Sequence, residues 1–198
     1  MRIFGDRKIA ILITVVVAVL ATLFGVYRTS NRNKREIEAM FSDGVFIEDG
    51  GYTEPGIASH LSNAADAALG LATITANYPE FAEKADELTL ARRDLLTANG
   101  ISGKGSAFLV MSNCFYELFM SAANTKTPGQ VSDLSARDLE AAKSYCRTYD
   151  GALIAILNSG YNDKVAEYLE GRSMLNRLIG LLVFAKQPAS FVTPYIPL

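Results

Sequence analysis

Few side chains in this sequence are of the types that act as a base, a nucleophile or a metal ligand. The chain has one histidine, His60, and two cysteines, Cys114 and Cys146, which lie far apart and in no Cys-x-x-Cys spacing. We predict that the cysteines are buried thiols, with a single disulfide as the alternative. His60 is expected on a partly exposed helix surface, and any Ser–His or Cys–His pair would have to use it.

The remaining polar motifs lack the spacing that catalysis or nucleotide binding requires. Residues 100–106, GISGKGS, have a first glycine too close to Gly-Lys and a glycine before the serine, so they predict an interhelical loop. Glu83, Asp86 and Glu87 have helical spacing without the Glu-x-x-His motif of a dimetal site, and a solvated helix face explains them. The sequence contains no Gly-x-Ser-x-Gly elbow. We therefore predict that the protein is not an enzyme and uses no metal or cofactor.

The overall composition predicts a folded domain with one attached segment. The sequence has 198 residues, of which 49% are apolar, and its formal net charge is -2. This length suits one domain with an attachment, and the apolar content excludes a disordered chain. The charge is too small to predict binding to nucleic acid.

The N-terminal segment predicts a membrane anchor at residues 9–27. Residues 1–8 form a short basic flank, and the apolar run from Ile9 to Val26 has no charged residue. A helix of this length rises about 27 Å, which covers most of a hydrocarbon core of about 30 Å. A cleaved signal peptide is the alternative, but the run is longer than the usual apolar core and has no Ala-x-Ala site.

The charges beside this segment do not assign its orientation in the membrane. Basic residues occur before and after the run in nearly equal number: Arg2, Arg7 and Lys8, then Arg28, Arg32, Lys34 and Arg35. The positive-inside rule needs a larger asymmetry. The side of the membrane that holds the domain therefore stays open.

Beyond the anchor, apolar residues recur at helical spacing. Residues 28–56 are predicted to continue the first helix and then to form a loop at residues 48–56, which is rich in glycine and proline. The clearest apolar stripe has the heptad spacing of packed helices and comprises Ile57, Leu61, Ala64, Ala68, Leu71, Thr75 and Tyr78. The next helix is predicted to have Pro79 in its first turn and a stripe of Phe81, Leu88, Ala91, Leu95 and Ala98.

Two further helices complete the predicted bundle. A break at residues 99–105 precedes an aromatic helix at residues 106–123, which we expect at the centre of the core. A long final helix follows, capped by Ser132 or Ser135, and its inner side is predicted to hold Ala141, Tyr145, Tyr149, Ala152 and Ile156. No strand pattern of useful length is present. The prediction is an all-α fold: an N-terminal transmembrane helix followed by an antiparallel bundle of about four helices at residues 57–185, with a proline-rich tail at residues 186–198.

The C-terminal part of the chain resembles the signature of the LemA family. It reads Tyr-Asn, then a second aromatic residue, then an apolar run that closes on phenylalanine. The matching positions are Tyr161, Asn162, Val165, Tyr168, Gly180, Phe184 and Phe191. Two upstream segments are similar to bundle helices of that family at Leu61, Asp66, Leu71, Leu88, Ala91, Arg92 and Leu96. The chain departs from the family pattern at Asn63-Ala64, at Leu69-Gly70 and at Leu169.

This resemblance implies architecture more than activity. LemA-like proteins are mostly bacterial, membrane-anchored helical bundles without assigned catalytic residues. Some relatives occur alongside membrane proteases or take part in organising specialised membranes. The resemblance therefore implies a non-catalytic scaffold or protein-interaction module of the bacterial cell envelope. Such a module would be anchored in the cell membrane by one span and would bind a membrane or envelope protein.

Two other functions stay open at this point. A ligand-sensing bundle would have its site along residues 106–123, lined by aromatic side chains such as Phe108 and Phe119, in a pocket of at least a few hundred Å³. An enzyme would need a cleft that gathers His60 with carboxylates or hydroxyls.

The junction at residues 159–163, SGYND, interrupts the final helix. We expect Gly160 to loosen the helix and Asn162 to hydrogen-bond the backbone where the chain kinks. Tyr161 is expected to pack inward with its hydroxyl satisfied. On this hypothesis the Tyr-Asn pair is a structural device.

Overall fold

The helical periodicity of the sequence predicts its main structural elements correctly. The computed structural model describes residues 7–47, 50–123, 134–172, 177, 179–181 and 186–192. Within those ranges there are six helices of ten or more residues and one hairpin. The helices are α1 (Arg7–Asp43), α2 (Ile57–Thr75), α3 (Ala82–Thr97), α4 (Gly100–Ala123), α5 (Ala136–Asn158) and α6 (Tyr161–Glu170). The hairpin strands are β1 (Val45–Ile47) and β2 (Tyr52–Glu54).

The chain divides into two units. One comprises Met1–Glu38 and Asp163–Pro188, and the other comprises Ala39–Asn162 and Ala189–Leu198. In the first unit, α1 is long and apolar enough to cross a membrane, and no residue in its most apolar stretch is buried. A core helix of a soluble domain would bury one face of such a stretch.

The second unit contains the predicted antiparallel bundle, formed by α2, α3, α4 and α5. The hydroxyl of Tyr78, just after α2, donates to Asp138 at the start of α5 (2.5 Å). Lys84 at the start of α3 donates to Ser121 near the end of α4 (2.6 Å). Because each contact joins the end of one helix to the start of the other, α2 and α5 are antiparallel, and so are α3 and α4. The prediction of an all-α bundle is confirmed.

The predicted stripes form the bundle core. Six residues of the α2 stripe, all except the half-buried Tyr78, are buried. On α3, Phe81, Leu88, Ala91 and Leu95 are buried as predicted, and Ala85 extends the stripe. The alanines let the helix backbones approach closely, and each large apolar side chain contributes about 1.5–3 kcal/mol on burial.

Aromatic side chains fill the space between α4 and α5. Phe108, Phe115 and Tyr149 are fully buried, and the rings of Phe115 and Tyr149 stack with centroids 4.0 Å apart. The predicted central position of the aromatic helix is therefore correct. On α5, Tyr149, Ala152 and Ile156 are buried, whereas Ala141 and Tyr145 are only half-buried.

Three local predictions are wrong. First, α1 ends at Asp43 because Gly44 adopts a left-handed φ of 88°. Residues 45–47 were expected to be helix and residues 52–54 to be loop, but the two segments pair as antiparallel strands in which Val45 faces Glu54. Second, Pro79 lies in the turn before α3, which begins at Ala82. Third, residues 100–105 are the first turns of α4 and do not form a loop.

The start of α5 agrees with the predicted cap. The Ser135 hydroxyl accepts a hydrogen bond from the Asp138 backbone N–H (3.1 Å). This contact satisfies one of the free N–H groups at the helix start. The alternative cap, Ser132, lies outside the described residues.

Candidate functional site

A groove of about 400 Å³ runs between α2 and α5 in the second unit. Its floor consists of small residues, which keep the two helices close and leave room above them: Ala67, Gly151, Ala152 and Ala155. Its polar lining comprises His60, Asn63, Asp66, Tyr145 and Thr148. A concave surface that has small residues at its base and several polar groups on its walls can hold a polar ligand or side chains of a partner protein.

A glycine positions the aromatic wall of this groove. A Cβ added at Gly70 would lie 2.3 Å from the ring of Tyr145. The ring therefore packs directly against the α2 backbone, and only glycine leaves that space open. The sequence predicts no role for Gly70, which only departs from the LemA pattern there.

The groove brings His60 near the polar side chains of Asn63, Asp66, Tyr145 and Thr148. His60 is half-exposed, and within the described ranges no side chain hydrogen-bonds to its imidazole. A catalytic base needs a nucleophile or an orienting group at hydrogen-bond distance. Among the described residues there is also no group of three His, Cys, Asp or Glu side chains that could hold a metal ion.

Asp66 and Arg92, two residues that match the LemA pattern, lie together beside the groove. Arg92 Nη2 is 3.5 Å from Asp66 Oδ1, and Arg92 Nε donates to the carbonyl of Ala65 (2.9 Å). The arginine thereby ties α3 to α2. Of the other motif residues of these helices, Leu61, Leu71, Leu88 and Ala91 are buried in the core, whereas Leu96 is exposed.

Tyr161 and Asn162 hold the segment that contains Phe191. Gly160, with a left-handed φ of 63°, separates α5 from α6 and places this pair at the first turn of α6. Asn162 Nδ2 donates to the Phe191 carbonyl (2.8 Å), and the Phe191 N–H donates to Asn162 Oδ1 (2.9 Å). The buried Tyr161 donates its hydroxyl to the Ala189 carbonyl (2.7 Å).

This arrangement corrects the expectation for Asn162. Its amide satisfies the backbone of a distant segment and not the backbone at the kink. The ring of Phe191 is buried, with centroids 5.7 Å from Phe41 and 6.1 Å from Phe108. Three of the predicted motif residues, Tyr161, Asn162 and Phe191, thus form one cluster, which we call the C-terminal clamp.

The remaining motif residues lie in the first unit or outside the described residues. The Tyr168 and Ser30 hydroxyls share a hydrogen bond (3.2 Å), and the Arg172 guanidinium lies 5.7 Å from the Tyr168 ring centroid. These three residues line a cavity of about 220 Å³ beside α1. Phe184 lies outside the described residues.

A polar cluster that the sequence did not predict lies between α4 and α5. The Ser112 and Tyr149 hydroxyls share a hydrogen bond (2.8 Å), and Tyr116 donates to Asp150 Oδ1 (2.6 Å). The thiol of Cys146 donates to Asp150 Oδ2 (3.7 Å). Burial, and then the nearby Asp150 carboxylate, raise the pKa of Cys146 to about 11. Cys114 and Cys146 are both free and half-buried, and the pKa of Cys114 is also raised, chiefly by burial.

No protein-family model, curated protein or solved structure matches the chain. The function must therefore be inferred from the geometry of the groove, the clamp and the apolar helix.

Proposed function

We propose that this protein is a non-catalytic scaffold or interaction module that α1 anchors in a bacterial cell membrane by a single span. The observation that carries the proposal is the exposure of the apolar stretch of α1, in which no residue is buried. Exposed leucine and valine side chains on every face of a helix are stable in lipid and unfavourable in water. The resemblance to the LemA family supports the same architecture and a place in the cell envelope.

The bundle has features of a binding module. Phe108 and Phe115 of α4 are packed in the core, and Tyr116 and Phe119 are half-buried, which supports a scaffold more than a ligand pocket along that helix. Exposed apolar side chains remain on the outer faces of its helices, among them Leu69, Leu90, Val110, Met120, Ile154 and Leu157. Such side chains, together with the groove between α2 and α5, provide area for a protein partner.

Membrane extraction and mass measurement test the anchor. The full chain, expressed in a bacterial host, should stay with the membrane in alkaline carbonate and leave it only with detergent. Its intact mass should correspond to the full 21.4 kDa. A variant that lacks residues 9–26 is the control and should be soluble. Release by carbonate, or a mass that shows cleavage after the apolar run, would refute the anchor.

Proximity labelling tests the interaction module. The labelling enzyme is fused after Leu198, and the control carries the same enzyme after residue 38. Reproducible enrichment of one membrane or envelope complex by the full chain, relative to that control, is the expected result. A labelling profile equal to the control would contradict the proposal.

The groove between α2 and α5 favours a second candidate, a bundle that senses a polar ligand. Its site would lie along this groove and not along α4. A thermal-shift screen of polar metabolites tests it with two variants on α5. Ala155→Trp fills the groove and should abolish a shift, whereas Ile154→Trp, at a neighbouring exposed position, should retain it.

A further inference from the structure

A short run of basic residues follows the apolar stretch of α1, and the first acidic residue after that stretch is Glu36. Residues 27–35 contain four positive charges and no negative charge: Arg28, Arg32, Lys34 and Arg35. The three arginines have the i, i+4, i+7 spacing of one helix face, and all three are exposed. Together with Phe24, Tyr27 and Asn31 they line a cavity of about 470 Å³. We call these six residues the arginine face.

The charges of the arginine face are available to a ligand. Arg28 and Arg35 form no ion pair or hydrogen bond in the part of the chain that the structure describes. Arg32 contacts only Glu36 there (3.1 Å), in a pair so exposed that water or another anion can replace the carboxylate. By contrast, Lys34 donates to Glu38 (2.7 Å), and both side chains are about three-quarters buried.

The position of the arginine face along α1 matches the headgroup layer of a bilayer. With about 1.5 Å of rise per residue, Arg28 lies about 3 Å and Arg32 about 9 Å beyond Val26, where the apolar run ends. The headgroup layer on each side is about 5–8 Å thick, and the long side chain of Arg35 can reach back toward it. Phe24 and Tyr27 are 65% and 42% exposed at the same boundary, where aromatic side chains anchor membrane helices.

We infer that the arginine face binds the phosphate of anionic phospholipid headgroups. This inference rests on the proposed membrane anchor. Guanidinium groups pair with phosphate through two parallel hydrogen bonds, and each basic residue near an anionic surface strengthens binding severalfold. The aromatic side chains would contact the upper acyl chain, and Asn31 would donate a further hydrogen bond. Free phosphate offers the same chemistry without the acyl chain.

Lipid retention from nanodiscs tests the inference on the full chain. The discs contain phosphatidylcholine with a minor share of phosphatidylglycerol, and native mass spectrometry counts the lipids that stay on the released protein. We expect phosphatidylglycerol to be enriched about fivefold over its share in the disc. The double variant Arg28→Gln/Arg35→Gln should lose this enrichment. Arg35→Gln alone should reduce the enrichment. Its matched control Lys34→Gln removes one charge at the same depth, from a pair on the other side of the helix, and should keep the enrichment.

The outcomes that would contradict the inference differ from those that would contradict the membrane anchor. Retention at the bulk ratio by the wild-type protein would overturn the inference and leave the anchor intact, because the protein would still reside in the disc. An equal loss in Lys34→Gln would show that net charge, and not the arginine face, attracts the lipid. Displacement of the lipid by added inorganic phosphate would show a site for free phosphate. A chain that does not enter discs at all would overturn both the inference and the anchor.

Discussion

Asn162 forms two hydrogen bonds with the backbone of Phe191, one to its carbonyl (2.8 Å) and one from its N–H (2.9 Å). The side-chain amide thus pairs with the Phe191 backbone as a residue of a neighbouring strand would. Phe191 is thereby held with its ring buried against Phe41 and Phe108. A single asparagine connects the start of α6 to the packing of an aromatic core.

Replacement of Asn162 by alanine should loosen the C-terminal clamp. Two hydrogen bonds of a part-buried group are lost, so the free energy of unfolding should fall by about 1–2 kcal/mol. Amide hydrogen exchange at Phe191 should accelerate more than exchange in α2. Asn158→Ala, at an exposed position in the last turn of α5, is the control and should change stability by less than about 0.5 kcal/mol. Unchanged exchange at Phe191 would contradict a structural role for Asn162.

Two glycines in the first turns of α4 should respond differently to alanine. A Cβ at Gly105 would lie 3.0 Å from the backbone nitrogen of Val192, whereas a Cβ at Gly103 meets nothing closer than 4.0 Å. Both substitutions gain the same helix propensity, about 1 kcal/mol. We expect Gly105→Ala to be less stable than Gly103→Ala by about 1–3 kcal/mol in urea unfolding, because the Val192 segment must move. Equal stabilities would show that this contact does not constrain residue 105.

Two adjacent arginines on α3, Arg92 and Arg93, should differ in how much they contribute to stability. Arg92→Ala removes the hydrogen bond to the Ala65 carbonyl and should lower the free energy of unfolding by about 1–2 kcal/mol. Its ion pair with Asp66 adds little, because the Asp66 side chain is 71% exposed. Arg93→Ala, which removes an exposed side chain, should stay within about 0.5 kcal/mol. A similar effect of the two variants would mean that Arg92 does not tie α3 to α2.

The cap of α5 should contribute to acid sensitivity. Hydrogen bonds from Tyr78 and then from Ser135 lower the pKa of Asp138 below its ordinary range. Because the folded pKa is the lower one, the contribution is complete above the unfolded pKa of about 3.9 and is lost as the pH falls through the folded value. Asp138→Asn should therefore destabilise the protein near neutral pH, with a difference that shrinks below about pH 4. Asp94→Asn, which removes an exposed carboxylate on α3, is the control. If the melting temperatures of wild type and Asp138→Asn differ by the same amount at every pH, this role of Asp138 is contradicted.

The thiol of Cys146 should react slowly in the folded protein. Its pKa is raised to about 11 by burial and by the Asp150 carboxylate, so little thiolate forms at moderately alkaline pH. In a Cys114→Ser background, alkylation by iodoacetamide at about pH 9 should be many times slower than in the urea-unfolded chain. Asp150→Asn should speed the reaction of the folded protein. Equal rates in folded and unfolded protein would contradict the protected environment.

The periodic stripes of α2 and α3 could be predicted because their burial depends on local helical geometry. Ile57, Leu61, Leu71 and Leu88 recur at helical spacing, and this spacing alone places them on one face. The exposed apolar stretch of α1 and the Ser135 cap could also be predicted, because each depends only on the residue types in a short stretch of sequence. Residues 100–105 were predicted to be a loop because their glycines lower the local helix propensity. In the fold they are helical, and Gly105 leaves room for the backbone of Val192 to approach closely.

The sequence by itself indicated where the main helices lie and which sides of them are apolar, but not the start of α4 or the hairpin after α1. Its resemblance to the LemA signature predicted that Tyr161, Asn162 and Phe191 belong to one motif. Only the tertiary structure decided that Asn162 bonds to the Phe191 backbone, that Gly70 admits the Tyr145 ring, and that a groove with His60 opens between α2 and α5. The physical reason is that these contacts join residues far apart in the chain, whose meeting depends on how whole helices pack. Helical periodicity reports which face is buried, but not which residue it meets.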